Sequence, residues 1–274
     1  MSELRSQDVA VENDAPVLYE VDDHGVAILT LHRPERRNMW TADMEDAFYA
    51  ALDRATDDDR VRVIVVTGHG TSFCPGLDPA VLDNVRAGSA YTTNRRPQTY
   101  ATSVPKFIIG AINGACAGIG LVQALCFDYR FATAKAKFTT AFSKRGLPAE
   151  DASAWLLTRL VGPAHAMDLM ISGRVFTGDE AFELGVVQRI SEPESVLDDA
   201  VAYARSVAAS VSPVSISMIK SQVWRDSEQT MEQARVRAQY LLTLAKAQPD
   251  FQEGVRALVE QRPPQFNPYR PLNI

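Results

Sequence analysis

"PKFIIGAINGACAGIGLVQAL", residues 105–125, decides how this chain folds. Its first residues form an apolar run that is typical of a strand buried on both faces. Small residues and glycines follow, and an apolar helix is predicted from Ile119 to Leu125. Backbone N–H groups are unpaired where a helix begins, and the helix dipole adds partial positive charge there. The stretch therefore predicts a strand, a glycine turn and a helix N-terminus that can bind a negatively charged oxygen.

Similar units recur along the first half of the chain. Strands are predicted at 26–34, 61–68 and 128–138, and Thr41 is placed to cap a helix over 42–55. Strands that alternate with loops and helices indicate βαβ-like units and a largely parallel sheet.

The second half is predicted to be mostly helical. A helix is expected over 148–162, where proline and two acids precede an apolar run that ends at glycine. Thr177 and Glu180 form a capping box that opens another helix. Four helical segments with apolar positions spaced by three and four follow Pro193.

Composition limits the classes of partner. The 274 residues are 46 % hydrophobic and 23 % charged, as in ordinary globular proteins. A net charge of −6 argues against nucleic acid. No apolar run approaches the ~20 residues of a membrane helix, and the polar N-terminus does not fit a signal peptide. Three cysteines without CxxC spacing predict reduced thiols in a cytoplasmic protein, and the four histidines form no metal-ligand pair.

The glycine loop does not match the common phosphate-binding motifs. Gly118 and Gly120 fit the start of GxGxxG, but Gln123 stands at the third glycine position, and no GK[ST] follows. An oxyanion site for a thioester or another carbonyl remains, with close packing of small residues as the alternative. The loop "SFCPGLDP", residues 72–79, also follows a buried strand and opens a short helix. Two such loops could each aim one N–H group at the same oxygen.

The order and spacing of several segments resemble the crotonase, or enoyl-CoA hydratase/isomerase, superfamily. These segments are "HRPERRNMWT", "GHGTSFCPGLD", "AINGACAGIGLVQALCFDYRFATAKAKF", "RGLPAEDASAWLLTRLVG", "ISGRVFTGDEAFELGVVQRI" and "FQEGVRALVEQRPPQF". The resemblance implies an α/β fold, a crotonase-like ββα spiral with a helical C-terminal part. We expect a loose tail over 1–14, the spiral core over 15–192 and a helical oligomerisation region over 193–274, which forms a homotrimer or hexamer.

The resemblance also implies an oxyanion hole for a CoA thioester. Its donors would be the backbone N–H groups of Leu77 and Ile119, next to Gly76 and Gly118. Because a β-branched residue does not tolerate positive φ, either position 119 is helical or the hole is distorted.

The acids that hydratases of this family carry are expected to be missing. Val122 stands where the first glutamate would be, and Phe142 where the second would be. Neither side chain can deprotonate water or protonate Cα, so a standard hydratase is disfavoured.

Glu150 and Asp151 are the candidate acids that remain. Glu150 lies where dienoyl-CoA isomerases of the family place an aspartate and where the dehalogenase branch places its nucleophile. Asp151 lies roughly where a β-diketone hydrolase has an acid. Alternatively, both are ordinary acids of a first helical turn. A helix N-terminus would lower the pKa of Glu150 and an apolar pocket would raise it, and the sequence leaves both outcomes open.

Basic residues are candidates for CoA binding. The resemblance implies contacts from Arg36, Arg37 and Lys220, whereas a solvated turn and a surface lysine are the alternatives. No cofactor is expected apart from CoA as part of the substrate. The predicted function is an acyl-CoA-binding enzyme that stabilises a thioester enolate, more isomerase-like than hydratase-like. The alternatives are a β-keto acyl-CoA hydrolase or C–C lyase, and a non-catalytic acyl-CoA-binding homologue.

Overall fold

The computed structural model describes residues 15–88 and 96–268. The loose tail predicted at 1–14 lies outside these ranges, as do the last residues of the predicted C-terminal region.

A six-stranded sheet forms the centre of the fold. Its strands are β1 (Val17–Val21), β2 (Val26–Leu31), β3 (Val63–Gly68), β5 (Phe107–Ile112), β7 (Tyr129–Thr133) and β10 (Arg189–Ser191), in the order β1-β2-β3-β5-β7-β10. Only β1 and β2 pair antiparallel in this sheet. The predicted parallel α/β architecture is therefore confirmed.

A second, four-stranded sheet has strands that are interleaved with those of the first along the chain. It consists of β4 (Ser72–Cys74), β6 (Ala115–Ala117), β8 (Lys137–Thr139) and β9 (Phe176–Thr177), in that order. Each of β4, β6 and β8 comes a few residues after a strand of the first sheet, so the chain repeats a strand–strand unit. The segments that connect the two sheets pass very close to each other. A Cβ at Gly114, between β5 and β6, would lie 2.1 Å from the carbonyl oxygen of Thr71, between β3 and β4. Only glycine allows this approach.

Helices surround the two sheets. Within the described ranges they are α1 (Ala42–Asp57), α2 (Pro79–Arg86), α3 (Ile119–Leu125), α4 (Ser153–Ser172), α5 (Gly178–Glu183), α6 (Val196–Ser210), α7 (Pro213–Arg225), α8 (Met231–Lys246) and α9 (Pro249–Glu260). The Thr41 side chain accepts a hydrogen bond from the Met44 N–H and caps α1, as predicted. The four helical segments expected after Pro193 are present as α6 to α9.

The central strands are buried on both faces, as the apolar run at 61–68 predicted. On β3, Ile64 and Val66 belong to the main apolar core, whereas Val63 and Val65 face a second cluster. Helix α6 covers that second cluster. The first helix of the predicted C-terminal region is thus part of the layered core.

Three local predictions need correction. The single strand expected over 128–138 is two strands, β7 and β8, separated by a turn. The helix expected over 148–162 begins only at Ser153, because Asp151 and Ala152 have left-handed φ values of 47° and 60°. Thr177 caps α5, but Glu180 binds Arg174 instead of completing the capping box.

Neither a membrane-spanning helix nor a group of metal ligands is present within the described ranges. No helix there is both long and apolar enough to cross a bilayer. No group of three or more His, Cys, Asp or Glu residues there could hold a metal ion.

Candidate active site

The two glycine loops meet at the ends of neighbouring parallel strands. Strands β4 and β6 pair with Cys74 opposite Cys116, and one loop follows each strand. A Cβ on Gly118 would lie 3.9 Å from the Gly76 Cα, and a Cβ on Gly76 would lie 3.5 Å from the Ala117 carbonyl oxygen. The structure therefore brings together the two loops that the sequence analysis paired.

The backbone around Leu77 is held by Trp40. The Trp40 N–H donates to the Gly76 carbonyl at 2.8 Å, and the Trp40 carbonyl accepts from the Asp78 N–H at 2.9 Å. In such a parallel bridge the N–H of the central residue, Leu77, points away from Trp40. Asp78 then caps α2 through the Ala80 N–H. The Leu77 N–H is thus left available beside the second loop.

Ile119 is the first residue of α3 and is helical. The positive φ value, 50° with ψ of −122°, falls on Gly118, where glycine tolerates it. The Gly118 N–H donates to the Thr139 carbonyl at 3.1 Å, so Ile119 carries the first uncommitted N–H of the helix. Of the two alternatives for position 119, a helical residue or a distorted oxyanion hole, the structure therefore shows the helical residue.

Apolar side chains occupy the two positions that the resemblance assigned to hydratase glutamates. Val122 lies in the first turn of α3, where its N–H donates to the Gly118 carbonyl. Val122 and Phe142 are 1 % and 6 % exposed and belong to the main core. Neither side chain offers a proton donor or acceptor.

Glu150 and Asp151 lie in the turn that leads into α4. The Glu150 carbonyl accepts a hydrogen bond from the Ser153 N–H at 2.9 Å. Burial and then the neighbouring Asp151 raise the pKa of Glu150, against an opposing effect of Arg145. Burial and then Glu45 raise the pKa of Asp151. The alternative that both are ordinary acids of a first helical turn is wrong, because α4 begins at Ser153. Loss of hydration on burial sets the direction in which their pKa values move.

Comparison with known proteins agrees with this geometry. The family model described as "Enoyl-CoA hydratase/isomerase" matches residues 22–268. The chain belongs to the enoyl-CoA hydratase/isomerase family. Strands β4 and β6 with their glycine loops lie inside the matched range.

Individual relatives of this family include isomerases and hydratases. The 1,2-epoxyphenylacetyl-CoA isomerase of Escherichia coli K12 is 32 % identical over 251 residues, which cover 89 % of this chain and 95 % of the relative. The trans-2-decenoyl-[acyl-carrier-protein] isomerase of Streptococcus mutans is 32 % identical and is matched over 91 % and 97 % of the two chains.

Solved structures of the family share the fold. The enoyl-CoA hydratase EchA1 of Mycobacterium marinum has a TM-score of 0.86 at 28 % identity, over 93 % of this chain and 100 % of that chain. The enoyl-CoA hydratase EchA12_1 of the same organism is 44 % identical with a TM-score of 0.69, over 78 % and 100 %. The predicted crotonase superfamily and fold are thereby confirmed.

The residues expected to contact CoA have different environments. Arg36 binds the Asp78 carboxylate at 2.9 Å but stays about half exposed, and Arg37 is exposed on the same turn. Their contacts with CoA remain predictions. Lys220 is buried, and its ammonium group binds the Asp128 carboxylate at 2.8 Å and two backbone carbonyls at 3.0 Å. All three of its donors are used within the protein, so this geometry does not support the predicted phosphate contact.

A buried polar network below the glycine loops was missed by the sequence analysis. One oxygen of Glu45, Oε2, accepts from the Trp40 indole N–H at 2.9 Å and from the Gln98 amide at 2.8 Å. The Gln98 amide oxygen in turn accepts from Gln123 on α3 and from the Tyr49 hydroxyl. A sequence signal existed, because Glu45 lies four residues before Tyr49 on the buried face of α1.

A cavity of about 930 Å³ opens beside the turn that carries the acids. Its wall includes Ala152 and Trp155 at the start of α4, and Trp224 on α7. Hydroxyl side chains line much of the rest, namely Thr99, Thr102, Ser103, Ser217 and Ser221. Ala152, the neighbour of Asp151 in the chain, lines the cavity, whereas Leu77 and Ile119 are not among its described lining residues.

Proposed function

We propose that this chain binds an acyl-CoA thioester and catalyses a double-bond isomerisation through a thioester enolate. The observation that carries the proposal is the close approach of the Gly76 and Gly118 backbones, next to two N–H groups that have no backbone acceptor among the described residues. Two N–H donors aimed at one oxygen stabilise the negative charge that develops there when a proton leaves Cα.

Glu150 is the proposed acid and base. In an isomerisation one group removes a proton from carbon and returns it to another carbon, so the proton count balances without water. Burial raises the pKa of Glu150, which brings its carboxyl group closer to the range in which it can both accept and donate a proton. Hydration would also need a group that positions water, and Val122 and Phe142 supply none.

The printed activities of the relatives are compatible with this choice. Two of the relatives, at 32 % identity, are named as isomerases, one acting on a CoA ester and one on an acyl-carrier-protein ester. We extend only the isomerase chemistry and the CoA ester to this chain, with CoA bound as part of the substrate and no further cofactor.

A second candidate is hydrolysis or C–C cleavage of a β-keto acyl-CoA. The observation that favours it is the adjacency of Glu150 and Asp151, whose pKa values are both raised. In that case one carboxylate would activate water or attack a carbonyl carbon. A third candidate is a non-catalytic member that binds acyl-CoA.

A panel of acyl-CoA thioesters followed by mass spectrometry distinguishes these functions. Isomerisation leaves the mass unchanged but exchanges protons in deuterated water, hydrolysis of the thioester releases free CoA and a carboxylic acid, and C–C cleavage shortens the acyl group. The Glu150→Gln variant should lose turnover while still binding the thioester. Glu183→Gln, an exposed acid on α5, is the matched control. Family-like hydration of crotonyl-CoA, or unchanged turnover in Glu150→Gln, would contradict the proposal.

Oligomeric state and location complete the proposal. Apolar side chains on α8 and α9 are highly exposed in the single chain, for example Met231 at 88 % and Leu258 at 79 %. An exposed apolar surface of this kind is suited to burial between copies, which supports a homotrimer or hexamer. Sedimentation velocity would measure the oligomeric state. The cysteines, all buried and unpaired, are compatible with a cytoplasmic protein.

A further inference from the structure

The two proposed oxyanion donors lie on different elements. Leu77 belongs to the loop after β4, whereas Ile119 begins α3. Their N–H groups can act on one oxygen only if the loop and the helix keep a fixed spacing, because hydrogen bonds weaken steeply with distance and angle. The buried polar network is a structure that joins both elements.

One arm of the network reaches the Leu77 loop through Trp40. Its backbone holds the peptides on both sides of Leu77, with hydrogen bonds of 2.8 and 2.9 Å. Its indole N–H donates to Glu45 at 2.9 Å, and its ring stacks edge-on against Phe48 at 5.6 Å. Glu45 therefore fixes the residue that positions Leu77.

The other arm reaches α3 through Gln98. The Gln98 amide donates to Glu45 at 2.8 Å, and its oxygen accepts from the Gln123 side chain. The Gln123 amide also donates to the Gln98 carbonyl at 3.2 Å. Gln123 lies on the same short helix as Ile119, so a shift of this arm moves the second donor.

Both arms end on a single atom. The Oε2 atom of Glu45 accepts from Trp40 and from Gln98, and Glu45 is 0 % exposed. In a buried site hydrogen bonds are electrostatically stronger than in water, and bulk solvent does not reach the site to replace a lost partner. The carboxylate is too deeply buried to touch a substrate.

We propose that Glu45 is a positioning residue that sets the spacing between the Leu77 and Ile119 N–H groups. The inference rests on the proposed function, since it concerns the oxyanion hole of that site. It predicts that loss of the shared acceptor damages transition-state stabilisation more than it damages substrate binding.

The test compares two substitutions of Glu45 with one substitution of Trp40 and one control substitution outside the network. Glu45→Met keeps the length of the side chain but removes the acceptor from both arms. Glu45→Gln keeps an oxygen that can accept from both donors, and it should restore function. Trp40→Phe removes the indole N–H donor of the Leu77 arm, together with part of a buried ring, and leaves Glu45 in place. It is the second variant if Glu45→Met does not fold. Tyr100→Phe, which removes a 2.8 Å hydrogen bond to Asp53 on the same helix but outside the network, is the matched control.

The readout is the absorption band of a bound dialkylaminocinnamoyl-CoA. Hydrogen bonds to its thioester carbonyl move the band to longer wavelength, and this shift needs no turnover. Wild type, Glu45→Gln and Tyr100→Phe should give the full shift, whereas Glu45→Met and Trp40→Phe should give a reduced one. In parallel, kcat should fall on the order of ten- to a hundredfold in these two variants, while KM changes little.

The outcomes separate this inference from the proposed function. A full shift in both Glu45→Met and Trp40→Phe, with only thermal stability reduced, would overturn the positioning role and leave the oxyanion hole intact. If wild type binds the probe without any shift, the proposed function fails, and the positioning role fails with it.

Discussion

At the scale of single residues, burial rather than the helix dipole governs Glu150. A carboxylate in the first turn of α4 would be stabilised by the N–H groups there. Instead, α4 begins at Ser153, and the half-buried Glu150 has a raised pKa because its charged form loses hydration. This direction suits a group that must exchange a proton with carbon.

In the pH profile of the activity that depends on Glu150, the acidic limb should therefore lie at higher pH than an ordinary glutamate would give. A base must be deprotonated, so kcat/KM should rise with pH through a pKa above the ordinary 4.5. Arg145→Gln removes a charge that lowers this pKa and should move the limb to higher pH. Asp151→Asn removes a charge that raises it and should move the limb to lower pH. Superimposable pH profiles for the three proteins would show that Glu150 is not the titrating base.

The same shift predicts how Glu150 affects stability. The folded state holds this proton more tightly than the unfolded chain does, so the stabilising contribution is complete below about pH 4.5. It is lost as the pH rises through the raised folded-state pKa. Glu150→Gln should then be at least as stable as wild type at pH 7, and any advantage should disappear in acid. Urea unfolding at both pH values measures this, and a clear stability loss at pH 7 would refute it.

At the scale of elements, the sequence predicted the helices and strands whose ends are marked by nearby residues, and it did not predict contacts between distant segments. Helix α3 runs from Ile119 to Leu125 as expected, because a glycine turn marks its start. The alternation over 128–138 hid the turn between β7 and β8, which contains neither glycine nor proline. The polar network could not be predicted in this way, because Glu45 and Gln98 are 53 positions apart and meet only in the fold.

The glycine turn before α3 can be tested by substitution. Gly118→Ala would force a side chain into φ 50°, ψ −122°, although the nearest atom is 3.9 Å away. We expect a loss of about 1–3 kcal/mol in the free energy of unfolding from backbone strain alone. Because Ile119 is the next residue, enolate formation measured by α-proton exchange should also fall.

Gly70→Ala provides the matched control for this turn. Gly70 also has a positive φ, 74°, and a Cβ there meets no atom within 4 Å. This variant should lose stability but keep α-proton exchange in the folded protein. Equal exchange rates in the two variants would argue that the turn does not shape the oxyanion hole.

At the scale of the whole molecule, buried charges join the helical half to the sheet. Asp128 lies between α3 and β7, accepts hydrogen bonds from the Ile108 N–H and the Trp224 indole, and binds Lys220 on α7. Lys220 also donates to the carbonyls of Ala101 and Lys106. One lysine thus links α7, the edge of β5 and the segment before it, which explains why a cation is tolerated in the core.

Lys220→Met tests whether this residue serves the fold or the CoA. Removing the ammonium leaves the Asp128 charge buried without its ion partner, so the free energy of unfolding should fall by about 3–5 kcal/mol. Urea unfolding measures that loss. Calorimetric titration with an acyl-CoA at low temperature, where the variant stays folded, should give the wild-type affinity. Arg36→Gln is the comparison, because Arg36 is exposed and was predicted to contact CoA. If Lys220→Met keeps its stability but loses CoA affinity, the lysine contacts the ligand after all.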